Sequence, residues 1–110
     1  MQAAVPRIHD RAELETALDS ELYLLFKHSL LCPISRWAFD EYEAFVKEHP
    51  EVATGWIDVR GQRDWSDWVA ERTGVVHQSP QALLILDGKV IWDASHDAIK
   101  REALHEALAL

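Results

Sequence analysis

The apolar positions of this chain fall into helical and strand rhythms that predict most of its elements. Leu22-Tyr23-Leu24-Leu25-Phe26 is apolar at every position, the pattern of a central strand covered by helices on both faces. Before it, Leu14, Ala17 and Leu18 recur at helical spacing, and Asp10 with Glu13 has the spacing of a capping box. Asp19 and Ser20 end that helix. Pro33 opens the next one, because a proline at the first helical position gives up an N–H that has no partner there. Its stripe is Ile34, Ala38, Tyr42 and Phe45, widened by Trp37, Phe39 and Val46, and His49-Pro50 ends it. A third helix is expected from about Gln62 to Thr73 on Trp65, Trp68 and Val69, with Gly74 just beyond it. The last carries Ile99, Ala103, Leu104, Ala107 and Leu108, with Ser95 or Asp97 as its cap.

Strands occupy the intervals. Val5 to Ile8 predicts a short first strand, confined to an edge by Pro6. Val52 to Val59 predicts a third, interrupted by Gly55. Ala82–Leu86 and Lys89–Trp92 flank Asp87-Gly88, a strong signal for a two-residue hairpin. The order β-α-β-α-β-α-β-β-α describes an α/β domain spanning residues 1–110. Its central sheet has about five strands, mainly parallel with an antiparallel hairpin at the edge, flanked by about four helices. Five strands and four helices in this order match the thioredoxin-like architecture.

Composition narrows the function classes. With 110 residues, 48% hydrophobic and 27% charged, the chain can bury a core of its own and is not of disordered type. It has no repeats and no linker-like stretch. Nineteen acidic against eleven basic residues give a formal charge of −8. No basic stripe suits nucleic acid and no polybasic segment suits a membrane surface. Apolar runs stay well short of the roughly 20 residues of a membrane span, and the N-terminus lacks a signal-peptide pattern. The expected location is cytoplasmic. One cysteine agrees with a reducing compartment, and any disulfide it forms joins another molecule.

That cysteine, Cys32, lies between the apolar strand and Pro33. A thiol reacts as its thiolate, and a helix N-terminus with its free N–H groups favours the anion. Cys32 is the expected N-cap and Pro33 the first helical residue. The Ser35 hydroxyl, one turn on, is placed to donate to the sulfur, and Lys27, His28 and Arg36 add positive potential nearby. The bland alternative is a small buried hydrophobe, which many free cysteines are. No second cysteine or histidine pair at ligand spacing supports a metal site. The second constellation is His77-Gln78-Ser79-Pro80-Gln81, directly before the fourth strand. A proline there is either a trans strand-start residue or a cis peptide after Ser79. The cis form lets the Ser79 backbone meet an extended substrate beside Cys32. The five tryptophans read as packing residues.

Together, Phe26-Lys27-His28-Ser29, Cys32-Pro33-Ile34-Ser35, Gly74-Val75, His77-Gln78-Ser79-Pro80-Gln81-Ala82, Gly88-Lys89-Val90 and Ala94-Ser95-His96 resemble the YtxJ family of monothiol bacilliredoxins over nearly the whole chain. The resemblance implies Cys32 as nucleophile, a cis Pro80, and removal of bacillithiol from protein mixed disulfides through a Cys32-S-S-bacillithiol intermediate. It implies S-bacillithiolated proteins as partners, bacillithiol as co-substrate with no tightly bound cofactor, and bacillithiol or a partner reductase to regenerate the thiol. Pro33, Ser35, Ser79, Pro80, His28, Lys27 and Arg36 are the expected supporting residues. Leu31 departs from the family pattern, which has a small hydroxylated residue before the cysteine. Two rivals share the fold: a non-catalytic peptide-binding adaptor, and a glutaredoxin-like iron–sulfur carrier, whose glycine-rich cysteine turn Pro33-Ile34 does not provide.

Overall fold

The apolar run becomes strand β1 (Leu22–His28), an inner strand of a four-stranded sheet. The computed structural model describes residues 5–109. Strand β2 (Ala53–Asp58) pairs with β1 in parallel, and β3 (Gln81–Leu86) and β4 (Lys89–Ser95) follow on its other side in the order β2-β1-β3-β4. Both β1–β3 and β3–β4 are antiparallel, so the sheet is mixed and less parallel than the element order suggests. The reason is the segment after helix α3 (Arg63–Thr73). That helix runs back from the carboxyl end of β2, and residues 74–80 return along the sheet, so β3 starts opposite the end of β1, with Gln81 against Lys27.

The expected first strand shrinks to one bridge, Arg7 to Trp56. Ile8 N–H donates to Trp56 O at 2.9 Å and Trp56 N–H to Pro6 O at 3.0 Å. Pro6 can accept but not donate, which keeps the pairing short. Gly55 sits inside β2 and does not break it. A Cβ there would come within 2.9 Å of Ile8 Cγ1, so glycine leaves room for the Ile8 side chain as the N-terminal segment runs beside this strand.

Alternation along β1 divides the core into two layers. Leu24 and Phe26 face α2 (Pro33–Glu48) and α4 (Arg101–Leu108), where Ala38, Tyr42, Phe45, Leu104 and Ala107 are buried. Leu25 faces α1 (Arg11–Leu18) and α3, against Leu14, Leu18 and Val69. Phe26 stacks on Tyr42, with centroids 4.6 Å apart. The hairpin turn has positive φ at both Asp87 and Gly88, 50° and 77°, as a two-residue turn of the right twist requires. Asp10 caps α1 by accepting from Glu13 N–H at 2.8 Å. The expected caps of the last helix move: Ser95 leads only into a short 3-10 turn, His96–Ala98, and Lys100 is the N-cap of α4. A carboxylate from α2 supplies the missing acceptor, Arg101 N–H donating to Glu41 Oε1 at 2.8 Å.

Candidate active site

Three chain segments meet at the carboxyl end of β1 and β2, where open α/β sheets place their ligands. The first is the turn from β1 into α2. Cys32 is the N-cap of α2 in extended conformation, with Pro33 directly after it. Cys32 N–H donates to Ser29 O at 3.2 Å, and Arg36 N–H donates to Cys32 O at 3.1 Å. The thiol residue is partly exposed. Ser35 lies fully buried, and its hydroxyl is turned inward. Its oxygen accepts Ser29 N–H at 2.9 Å and lies 2.7 Å from His28 Nδ1. Oγ has a lone pair and a proton left for Nδ1, so the direction of that bond follows the His28 tautomer. Ser35 therefore pins the turn that carries Cys32, in place of the contact with sulfur that its spacing suggests.

His28 is walled in by rings. It stacks on Phe39 with centroids 4.5 Å apart and meets Trp56 edge-on at 5.2 Å. Burial first, and Arg36 after it, push its pKa down, while Asp58 pulls the other way. A buried ring packed between aromatics and disfavoured as a cation is a scaffold element. Arg36 borders a separate depression with His28, Leu30 and Phe39, and so it stands away from the cleft in which Cys32 lies.

The second segment is the turn from β2 into α3. Asp58 organises it: its carboxylate accepts Arg60 N–H at 3.1 Å, and its own N–H donates to Gln62 Oε1 at 2.9 Å. The turn presents Arg60 and, at the first position of α3, Arg63. Sequence reasoning passed over both arginines and Ser66. The available signal was position, because they follow a strand whose carboxyl end lies beside the one that leads to Cys32.

The third segment is 77–80, where the Ser79-Pro80 peptide is cis. Pro80 is buried and its carbonyl accepts His96 N–H at 3.1 Å. His77 is joined to the sheet from below. Lys27, on the α1 and α3 side of β1, is fully buried. Its Nζ donates to Ser66 O at 3.2 Å and to His77 Nδ1 at 3.1 Å. Burial lowers the Lys27 pKa to about 8, with Asp67 opposing. Burial, then Lys27, lower that of His77. Since Lys27 occupies Nδ1, the neutral His77 ring carries its proton on Nε2.

Ser29, Cys32, Val59, Arg60, Arg63, Ser66, His77 and Ser79 line one open cleft of about 500 Å³. Of the expected site residues, the structure brings together Cys32 and Ser79 here. Pro33 and Pro80 frame two of its segments, Lys27 and Ser35 lie beneath it, and His28 and Arg36 lie outside. Among the described residues no three His, Cys, Asp or Glu side chains converge as a metal site. No helix is long and apolar enough to cross a membrane.

A mixed sheet sandwiched by helices, with a helix-capping cysteine facing a cis-proline loop, defines a thioredoxin-fold thiol oxidoreductase. The family model of monothiol bacilliredoxin BrxC matches residues 6–104, and the chain belongs to that family. Among solved structures it is similar to a candidate oxidoreductase with a thioredoxin fold, at TM-score 0.88 and 29% identity over 96% of this chain and 94% of that one. Two thioredoxins share the fold at lower identity. That of Trypanosoma brucei brucei has TM-score 0.74 and 14% identity, covering 98% of this chain and 94% of its own. That of Fasciola hepatica has TM-score 0.70 and 24% identity, covering 89% and 90%.

Proposed function

We propose that this protein removes bacillithiol from protein mixed disulfides by exchange through a single thiol. The observation that carries the reading is Cys32 on the cleft wall, with a serine rather than a second thiol one turn further along α2. In the first step the Cys32 thiolate attacks the bacillithiol-side sulfur. A new S–S bond forms, the old one breaks, and its electron pair leaves on the client's thiolate, which takes a proton from water. A second low-molecular-weight thiol, or a thiol of a partner reductase, then attacks the bacillithiol sulfur of Cys32-S-S-bacillithiol, forms a new S–S bond with it and releases Cys32 as the thiolate. The protein needs no tightly bound cofactor for either step, and a reducing cytoplasm supplies the resolving thiol.

Client proteins have an apolar rim to meet. Leu30, Leu31 and Ile34 are 54%, 73% and 43% exposed, and none of them lines the cleft. Exposed apolar residues gathered beside a reactive atom suit a protein surface better than a polar small molecule. The deciding experiment is intact-mass analysis after mixing with a bacillithiol-modified protein. One bacillithiol adduct on Cys32 and a matching loss from the client are expected, and Cys32→Ser should show neither. If Cys32→Ser strips the client as fast as wild type, the mechanism is wrong.

Leu31 stands where the family carries a hydroxyl. Its exposure makes Leu31→Thr nearly neutral for folding, within about 0.5 kcal/mol. The variant is expected to exchange faster, because a hydroxyl beside the sulfur stabilises the attacking and leaving anion. Stopped-flow rates equal to wild type would show that the departure has no kinetic weight.

A further inference from the structure

On the basis of the exchange reading above, we infer that the cleft beside Cys32 is a recognition pocket for the small-thiol half of the mixed disulfide, and that it selects thiols carrying carboxylates. The chain is acidic overall, with 19 acidic and 11 basic residues, yet no acidic residue lines this cleft and two arginines do. Arg60 and Arg63, like Arg36 outside the cleft, form no ion pair among the described residues, whereas Arg7, Arg11, Arg72 and Arg101 each do. An arginine left free at a cleft wall is the side chain whose planar fork fits a carboxylate with two parallel hydrogen bonds.

Two further observations point to a site for a polar ligand. Ser66 is 1% exposed, and its hydroxyl, like that of Ser79, is buried without a hydrogen-bond partner. Buried polar atoms are ordinarily paired, and both serines line the cleft. Arg63 opens α3, where the positive end of the helix disfavours a cation and favours an anion. A local rule broken at a cleft wall is expected where a ligand restores the balance. His77, held by Lys27 through Nδ1, keeps its Nε2–H as one more donor in a donor-rich pocket.

The placement also selects which sulfur is attacked. With the small thiol's carboxylates on Arg60 and Arg63, its sulfur comes to Cys32 and the protein half lies over the exposed Leu30, Leu31 and Ile34. Attack then falls on the small-thiol sulfur and the client leaves as thiolate. Reversed binding would leave the client attached to Cys32.

The test uses one carrier peptide whose single cysteine is capped either by N-acetyl-Cys-Asp or by its neutral isostere N-acetyl-Cys-Asn-amide. Rates of cap transfer to the wild-type protein are followed by intact mass at low and high salt. The charged cap is expected to transfer about tenfold faster or more at low salt, with the advantage shrinking as salt is added. Arg60→Gln with Arg63→Gln should erase the preference. Arg72→Gln, which removes the same kind of charge at the far end of α3, should keep it. Equal wild-type rates for the two caps overturn the anion pocket and leave the exchange reading standing. Transfer of neither cap to Cys32 overturns the exchange reading itself, and adduct formation between Cys32 and the carrier peptide overturns the orientation.

Discussion

Ser35→Cys is expected to change where the reaction stops. In the wild type nothing within the chain can displace the adduct from Cys32, because Cys32 is the only cysteine. A thiol at position 35 lies one helical turn away, within the reach that a disulfide needs. It would attack the Cys32 sulfur, expel the small thiol and leave an internal disulfide between Cys32 and the introduced thiol. Two electrons then pass from the dithiol to the client and small thiol together. Intact mass should show little adduct and a product two hydrogens lighter than the reduced variant. The substitution also has a structural cost. Ser35 Oγ holds Ser29 N–H and His28 Nδ1, and a thiol hydrogen-bonds weakly, so a loss of about 1 kcal/mol or more is expected in denaturant unfolding. A Ser35→Cys protein that folds and still accumulates the wild-type amount of adduct would show that the missing second thiol is not what sets the stopping point.

The junction between β1 and α2 was legible because its signals are local. Five apolar residues in succession, a proline fitted to the first helical position and a cysteine between them need no distant information. The hairpin at Asp87-Gly88 was legible for the same reason. What sequence patterns leave out depends on contacts across the chain. Gly55 has the look of a break, since nothing local says that the Ile8 side chain packs against it. The direction of β3 depends on residues 74–80 retracing the sheet, which no periodicity encodes. Ser35 at its helical spacing points to sulfur, but His28, seven residues earlier, captures the hydroxyl from the strand side. Of the two arginines of the cleft, Arg60 sits in a short polar turn with the composition of any surface loop and Arg63 opens the helix that follows it, and only the parallel register of β1 and β2 sets that turn beside Cys32.

Lys27 is the residue whose burial was least visible in the sequence and whose consequence is most measurable. It continues an apolar strand, fully buried, and its ammonium is held by Ser66 O and His77 Nδ1 alone among the described residues. Its pKa falls to about 8 against an ordinary 10.5. Below pH 8 the amine is charged in both folded and unfolded chains, and the folded protein carries the full penalty of burying the charge. Between about 8 and 10.5 the unfolded state binds more protons than the folded one, so stability rises with pH across that window. The gap corresponds to at most about 3 kcal/mol, reduced by whatever solvent reaches the amine. Lys27→Met has no such group. Measured by urea unfolding through tryptophan fluorescence, wild type should gain on Lys27→Met steadily from pH 8 to 10.5, a window above the titration of His77, the histidine that Lys27 influences. Parallel stability curves would mean that Lys27 titrates as a solvated lysine, and that it does not hold His77 as a buried cation. A further readout separates structure from function in the same variant. Freed from Lys27, His77 can take its proton on either nitrogen, so the transfer rate of a carboxylate-bearing cap to Cys32 should fall and acquire a dependence on pH near that of ordinary histidine.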